Sequence, residues 1–391
     1  MSDYNLKRLE NAVSYAMETG SFCIKNVIKN SDYFCIWGAG NFFTGAYERW
    51  FTNYGIHADY VVDRDDSKIG KIFFNRVPCI SPEQLFELKN PVVMPLLGND
   101  RQAVIEECES SGLNWINPNQ YFFEQLNMQD DIYSSQDWFE HNKDNIFRVY
   151  HMLHDEDSKY IYSNIICNYL ARHLGVASYK SLCTSGQYFE PEKLFHMSDN
   201  ECFLDVGAFN GDSLFEFLNI VDNNFDQVYC FEMSKDNYTK LKKVVDTYPS
   251  KIKEKIICYH AGAWNENTLI RCGNEMDNPG EGAAFSISKG KGNFLKHEES
   301  EYIKCVRLDS ILEKKKVTLL KMDIEGAEQA ALDGARQIII DQKPKLAVCI
   351  YHSLKDLWEI PILIKKILPE YHIAIRHHTT HISDTVCYAW I

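Results

Sequence analysis

At 391 residues and 45.4 kDa, and with about 100–200 residues to a domain, the chain holds two or three domains. Its 45% hydrophobic and 25% charged residues are ordinary globular usage, which excludes a mainly disordered state. Forty-one Lys+Arg against 55 Asp+Glu give a net charge of −14, which argues against non-specific binding to nucleic acid or an anionic membrane. The 13 cysteines form no C-x-x-C pair, so they read as small buried hydrophobes of a reducing compartment. With no signal-peptide pattern at Met1 and no apolar run near the ~20 residues of a membrane span, the expectation is a cytoplasmic protein.

Residues 1–30 carry a helical apolar pattern. Tyr33 to Trp37 is then a short β-rich run ending in Gly38-Ala39-Gly40-Asn41. A helical stretch follows, and Ala58 to Val62 is a second strand ending at Asp63. Strand, glycine turn, helix and a strand with a terminal acid are the order of a mononucleotide-binding unit. Gly38, Gly40 and Asp63 are therefore the candidate nucleotide residues of a domain over 1–120. The spacing departs from G-x-G-x-x-G, because position 43 is Phe. Three readings stay open for it: a scaffold without ligand, a nucleotide or nucleotide-sugar site, and an NAD redox site. Pro91 to Leu97, followed by Gly98-Asn99-Asp100, is a further strand, and a helix is expected over Arg101 to Ser110. Residues 121–184 lack glycine until Gly175 and show helical spacing, as expected of a helical connector.

A second strand–glycine–helix unit starts at Cys202. Asp205-x-Gly207-x-x-x-Gly211 follows an apolar strand and precedes an amphipathic helix. Glycines there let a backbone approach a ligand closely, and the helix start offers free N–H groups. Val228 to Glu232 is a strand ending in an acid, which can accept two hydrogen bonds from a ribose diol. This spacing with an acidic second strand favours S-adenosylmethionine (SAM) over a dinucleotide. Strands are also expected at Ile256 to His260, Thr318 to Met322, Lys345 to Tyr351, Tyr371 to His377 and Thr385 to Ile391. The last two have no helix between them, so they form an antiparallel hairpin closing a mostly parallel sheet.

From Phe203 to Ser213, through Lys321-Met322-Asp323-Ile324-Glu325-Gly326-Ala327-Glu328, and on to Gly334-Ala335, Lys343-Pro344 and Ile350-Tyr351-His352, the chain resembles the FkbM-type SAM-dependent methyltransferases. Gln187-Tyr188-Phe189 and Val306 to Ser310 are similar as well. The resemblance covers about residues 185–391. It implies a class I methyltransferase sheet, Rossmann-like, with the terminal hairpin, beside the smaller N-terminal Rossmann-like α/β domain. Asp205, Gly207, Ala208, Gly211 and Asp212 would then surround the methionine part of SAM. Glu232 would hold the ribose, Met233 or Ser234 would border the adenine, and Ala263 and Trp264 would lie at its edge. The implied reaction is O-methylation of a saccharide or related small molecule, a step in glycan biosynthesis.

Such a hydroxyl is a poor nucleophile near neutral pH, so a general base or a metal is expected. Asp323, at a strand end facing the cleft, is the first choice, then Glu325, with His352 as an alternative. These carboxylates match no dedicated metal motif, so no metal is assigned. Gly273 to Glu301, with Lys289 and Lys291, is expected to be a loop, either solvated or meeting a phosphate on a nucleotide-linked acceptor. The competing function is a nucleotide- or nucleotide-sugar-binding protein, or an NAD-dependent oxidoreductase, whose methyltransferase-like half is non-catalytic.

Overall fold

The structure is a computed structural model. It describes residues 2–21, 24–47, 51, 55–97, 101–116, 136–171, 177–189, 194–272, 301–380 and 383–391. Gly98-Asn99-Asp100, the start of the connector, and residues 273–300 with Lys289 and Lys291 lie outside the described residues. The chain divides into two compact units, one of Lys7–Lys143 with Ile166–Val176, the other of Met1–Leu6, Asp144–Ile165 and Ala177–Ile391.

The first unit is built on strands β1 (Tyr33–Trp37), β2 (Tyr60–Val62), β3 (Ile72–Phe73), β4 (Val77–Ile80), β5 (Pro91–Pro95) and β6 (Asn114–Trp115). They form one sheet in the order β3-β4-β2-β1-β5-β6, parallel except for β3 against β4. Alternation along β1 sends Phe34 and Ile36 into a core with Phe43, Tyr47 and Phe51. Cys35 and Trp37 join a second core with Val104 and Cys108. Both faces are thus covered, as a parallel sheet requires. The glycine turn follows β1 where the connections diverge to β2 and β5, the position at which open α/β sheets bind ligands.

The second unit contains β7 (Cys202–Val206), β8 (Gln227–Glu232), β9 (Ile256–His260), β10 (Gly262–Trp264), β11 (Thr268–Cys272), β12 (Glu301–Arg307), β13 (Leu319–Met322), β14 (Lys345–Cys349), β15 (His372–His377) and β16 (Thr385–Trp390). Its main sheet runs β15-β16-β14-β13-β7-β8-β9. Only β16 is antiparallel to its neighbours, inserted between β14 and β15. This is the mixed α/β sheet with a closing hairpin expected from the sequence. Every residue of the central strands β7 and β13 is buried, which is why they read as apolar runs interrupted only by Asp205 and Lys321. The helix Asp212–Ile220 turns Leu214, Phe217 and Leu218 inward at helical spacing. Phe217 packs 4.7 Å from Phe203 between ring centroids, and Phe189 joins from 5.3 Å.

The outer edge of β15 is covered by residues 153–155 and 183–184. His154 N–H donates to Ile373 O, Thr184 N–H to His377 O, and Arg376 pairs with Asp155. Covering an edge in this way removes a row of open backbone groups. A small three-stranded sheet, β10-β12-β11, was not anticipated from the sequence. It has a role in the site.

Candidate active site

The site begins where β7 ends. Gly207 has φ +86° and lies against β13: a Cβ there would stand 1.9 Å from the Asp323 carbonyl oxygen, so no other residue fits without moving one strand end. Gly207 and Ala208 donate their N–H groups to Phe231 O at 2.9 and 3.0 Å. The Phe209 N–H donates to Glu232 Oε2 at 2.9 Å, and the Ser234 N–H to Oε1 at 2.7 Å. Glu232 thereby clamps the turn after β7 to the end of β8. Burial pushes its carboxyl up to about 7, against the two N–H bonds that favour its charge.

Beside this clamp is a cleft of about 470 Å³. Gly207, Asp212, Glu232 and Met233 line it together with Ala263 and Trp264 of β10. Gln187, Tyr188, Glu216, Lys321, Asp323, Glu325 and Asp384 also line it. Four expected site residues are not in the lining. Ala208 is buried behind the turn, and Gly211 precedes the helix Asp212–Ile220. Asp205 is fully buried on β7, accepting the Ser213 hydroxyl at 2.6 Å and pairing with Lys321 Nζ at 3.1 Å. His352 lies behind the carboxylates.

Those carboxylates meet in one polar cluster. Asp323, just past β13, accepts from Tyr188 Oη and Tyr351 Oη, both at 3.1 Å, and its Oδ1 lies 3.4 Å from His352 Nε2. Burial works against its charge, but His352, Lys321 and the tyrosine hydroxyl hold it below the usual carboxylate range. Glu325, at φ +55°, is 3.6 Å from His352 Nε2. Burial pushes it up to about 7, His352 opposing and Asp323, Glu328 and Asp384 assisting. Glu328 accepts the Ile324 N–H at 2.8 Å and faces His352 Nδ1 at 3.1 Å. Burial would discharge His352, yet Glu328, Glu325 and Asp323 raise it to about 10, so it stays protonated at neutral pH.

Oxygens of Asp323 and Glu328 and a His352 nitrogen lie within 4.8 Å of one another. Glu328 nevertheless approaches Nδ1 and Asp323 approaches Nε2. The two nitrogens point away from each other in the ring plane, so Glu328 and Asp323 face opposite sides of the imidazole.

Residues without a sequence-derived role take part here: Lys321, Tyr188, Ser213, Tyr351 and Asp384. Gln187-Tyr188 and Lys321 stood inside the family-like strings, which was the one signal for them. The small sheet has a signal too. A Cβ at Gly334 would come 2.0 Å from the Trp264 carbonyl oxygen, so the Gly334-Ala335 string marks close packing of the helix Glu328–Gly334 against β10.

In the first unit, Gly38 has φ +120° and Gly40 precedes the helix Asn41–Ala46. Asp63 accepts the Ala39 N–H at 2.9 Å, the Asp65 N–H at 2.9 Å and Lys68 Nζ at 3.0 Å. Burial raises its carboxyl, but these three donors together bring it below its ordinary range. Of the described cysteines, 11 are free thiols and nine of these are buried, consistent with core packing. No described helix is long and apolar enough to cross a membrane.

The second unit has the sheet order and cleft of an α/β methyltransferase. Its residues 205–377 match the family model described as the Methyltransferase FkbM domain, so this unit carries an FkbM methyltransferase domain. Over 100% of both chains the protein superposes on the crystal structure of Methyltransferase FkbM from Methylobacillus flagellatus KT, with 22% identity and a TM-score of 0.71; the two share the fold. Partial likenesses include a precorrin-6y C5,15-methyltransferase from Geobacter metallireducens GS-15, at 9% identity, 54% of this chain, 95% of that chain and TM-score 0.31. Another is a putative rRNA-methylase from Clostridium thermocellum, at 8% identity, 48% of this chain, 84% of that chain and TM-score 0.31. No curated protein matches the chain.

Proposed function

We propose that the protein is a SAM-dependent O-methyltransferase acting on a hydroxyl of a saccharide or related small molecule. The observation that carries this reading is that one cleft is lined both by Glu232 with the Gly207 turn and by Asp323 with Glu325. The donor set fits the cofactor. Each Glu232 oxygen accepts one backbone N–H and keeps a lone pair for a ribose hydroxyl, while Met233, Ala263 and Trp264 supply apolar contact for a base. Bound there, SAM supplies an electrophilic methyl group.

The remaining work falls to the chain. Glu325, pushed up to about 7, takes the acceptor's hydroxyl proton on its carboxylate; a base titrating near the working pH is the effective one. Asp323, which already accepts a tyrosine hydroxyl on each oxygen, is the weaker base and keeps a remaining lone pair for a neighbouring hydroxyl. His352, protonated, holds both carboxylates in place. Tyr188, Gln187 and Asp384 extend a polar wall suited to a polyol, and positioning against it supplies much of the acceleration.

S-adenosylhomocysteine titrated calorimetrically should bind the wild type, and Glu232→Ala should bind about tenfold more weakly or worse. Glu325→Gln should bind it as the wild type does, yet fail to methylate a panel of sugar acceptors read by mass spectrometry. A wild type that binds no S-adenosylhomocysteine sinks the reading.

A further inference from the structure

We propose that Lys321 is a positioning residue, tying the turn on the cofactor side of the cleft to the carboxylate on the acceptor side. The proposal rests on the methyltransferase reading above. Lys321 lies in β13 opposite Asp205 in β7, the two being register partners on adjacent parallel strands. Both are buried, at 3% and 0% exposure. Lysine is among the residues least often buried, so its place in the middle of a sheet calls for a physical reason.

Pairing with Asp205 is not a sufficient one. Two apolar side chains of similar volume generally serve stability as well as a buried ion pair. What only a donor can do there is bind a carbonyl, and Nζ donates to Gly207 O at 2.6 Å. This turns the Gly207 carbonyl inward and sets the peptide from which the turn continues to Phe209, whose N–H reaches Glu232.

The same ammonium lies 5.3 Å from the Tyr188 ring centroid, and Tyr188 Oη donates to Asp323 Oδ2. Two residues on, just past β13, Asp323 itself donates its N–H to Val206 O at 3.0 Å. Lys321 is thus joined to the cofactor-side turn by one hydrogen bond, and to Asp323 through one aromatic ring and through its own strand. Neither Asp205 nor Ser213, which share its charge network, contacts that carbonyl.

The test compares Lys321→Met with Asp205→Asn, by calorimetric titration of S-adenosylhomocysteine and by thermal unfolding. Both variants break the ion pair and lower the melting midpoint, but only Lys321→Met loses the bond to Gly207. Affinity should fall about tenfold or more in Lys321→Met and about threefold or less in Asp205→Asn. Equal losses in the two, or wild-type affinity in Lys321→Met, overturn the proposal. Should Lys321→Met not fold, the charge-free pair Lys321→Met/Asp205→Leu takes its place with the same tenfold expectation, and wild-type affinity or failure to fold again counts against a positioning role. Binding by the wild type in the same titration separates failure of this proposal from failure of the methyltransferase reading.

Discussion

Glu325 shares its pocket with Asp323, Glu328, Asp384 and His352, and that company sets how the site answers to pH. Its carboxyl is raised from an ordinary 4.5 to about 7, so folding favours its protonated form. The associated stability is full below about pH 4.5 and is lost as pH rises through 7. Glu232 and Asp356 are raised to about 7 by the same burial and add to the trend. His352, raised to about 10, adds stability that is full below 6.5 and lost only toward pH 10. Urea midpoints should therefore fall between pH 5 and 8, and Glu325→Gln should flatten part of that fall. An unchanged slope in the variant removes Glu325 as a source. Methyl transfer should run the other way, rising through about pH 7 as the base ionises. Sequence reasoning found Asp323, Glu325 and His352 because carboxylates and histidines after strand ends are visible as such. The donors to Asp323 from Tyr188 and Tyr351, distant along the chain, leave no local trace in the sequence. Lys321 stood inside a family-like string, but its role had no local trace, because its partner Asp205 is on another strand.

The elements were legible wherever an apolar run was long enough to stand alone. β1, β9 and the helix Arg101–Ser110 have the bounds expected of them, and β2, β5, β14 and β16 are shorter by one or two residues at an end, although Ala58, Leu96 and Ile350 beyond those ends are still buried. The small sheet escaped because β10 has three residues and its partner β12 follows a long intervening segment. The hairpin of β3 and β4 escaped because Ile72-Phe73 is too short to show alternation. Yet β10 brings Gly262, Ala263 and Trp264 to the cleft, and Gly334 fixes how near it stands. Gly334→Ala must displace the Trp264 carbonyl or its own helix, at a cost of about 1–3 kcal/mol. It should lower the thermal midpoint and weaken S-adenosylhomocysteine binding together. A variant that melts and binds as the wild type does would show that this contact is slack.

For the molecule as a whole, the −14 charge finds a local counterpart in the cleft. Asp212, Glu216, Glu232, Asp323, Glu325 and Asp384 line it, and Lys321 is the cation among the described lining residues, already committed to Asp205 and Gly207. A phosphorylated or carboxylated acceptor would meet like charge at short range in a partly dry site. In a panel of matched neutral, amino and phosphorylated sugars, methylation should therefore favour the first two. Preferred methylation of the phosphorylated set would mean that residues outside those described supply the recognition.

The two units make the same latch twice. After the first strand of each, a glycine turn hands a backbone N–H to the acid at the end of the next strand: Ala39 to Asp63 in one, Phe209 to Glu232 in the other. The copies differ in what else reaches the acid. Asp63 also accepts an ammonium at 3.0 Å from its own chain, whereas among the described residues Glu232 accepts from backbone donors and has the cleft beside it. Lys68 thus makes an ion pair at the first latch that has no counterpart among the described partners of Glu232.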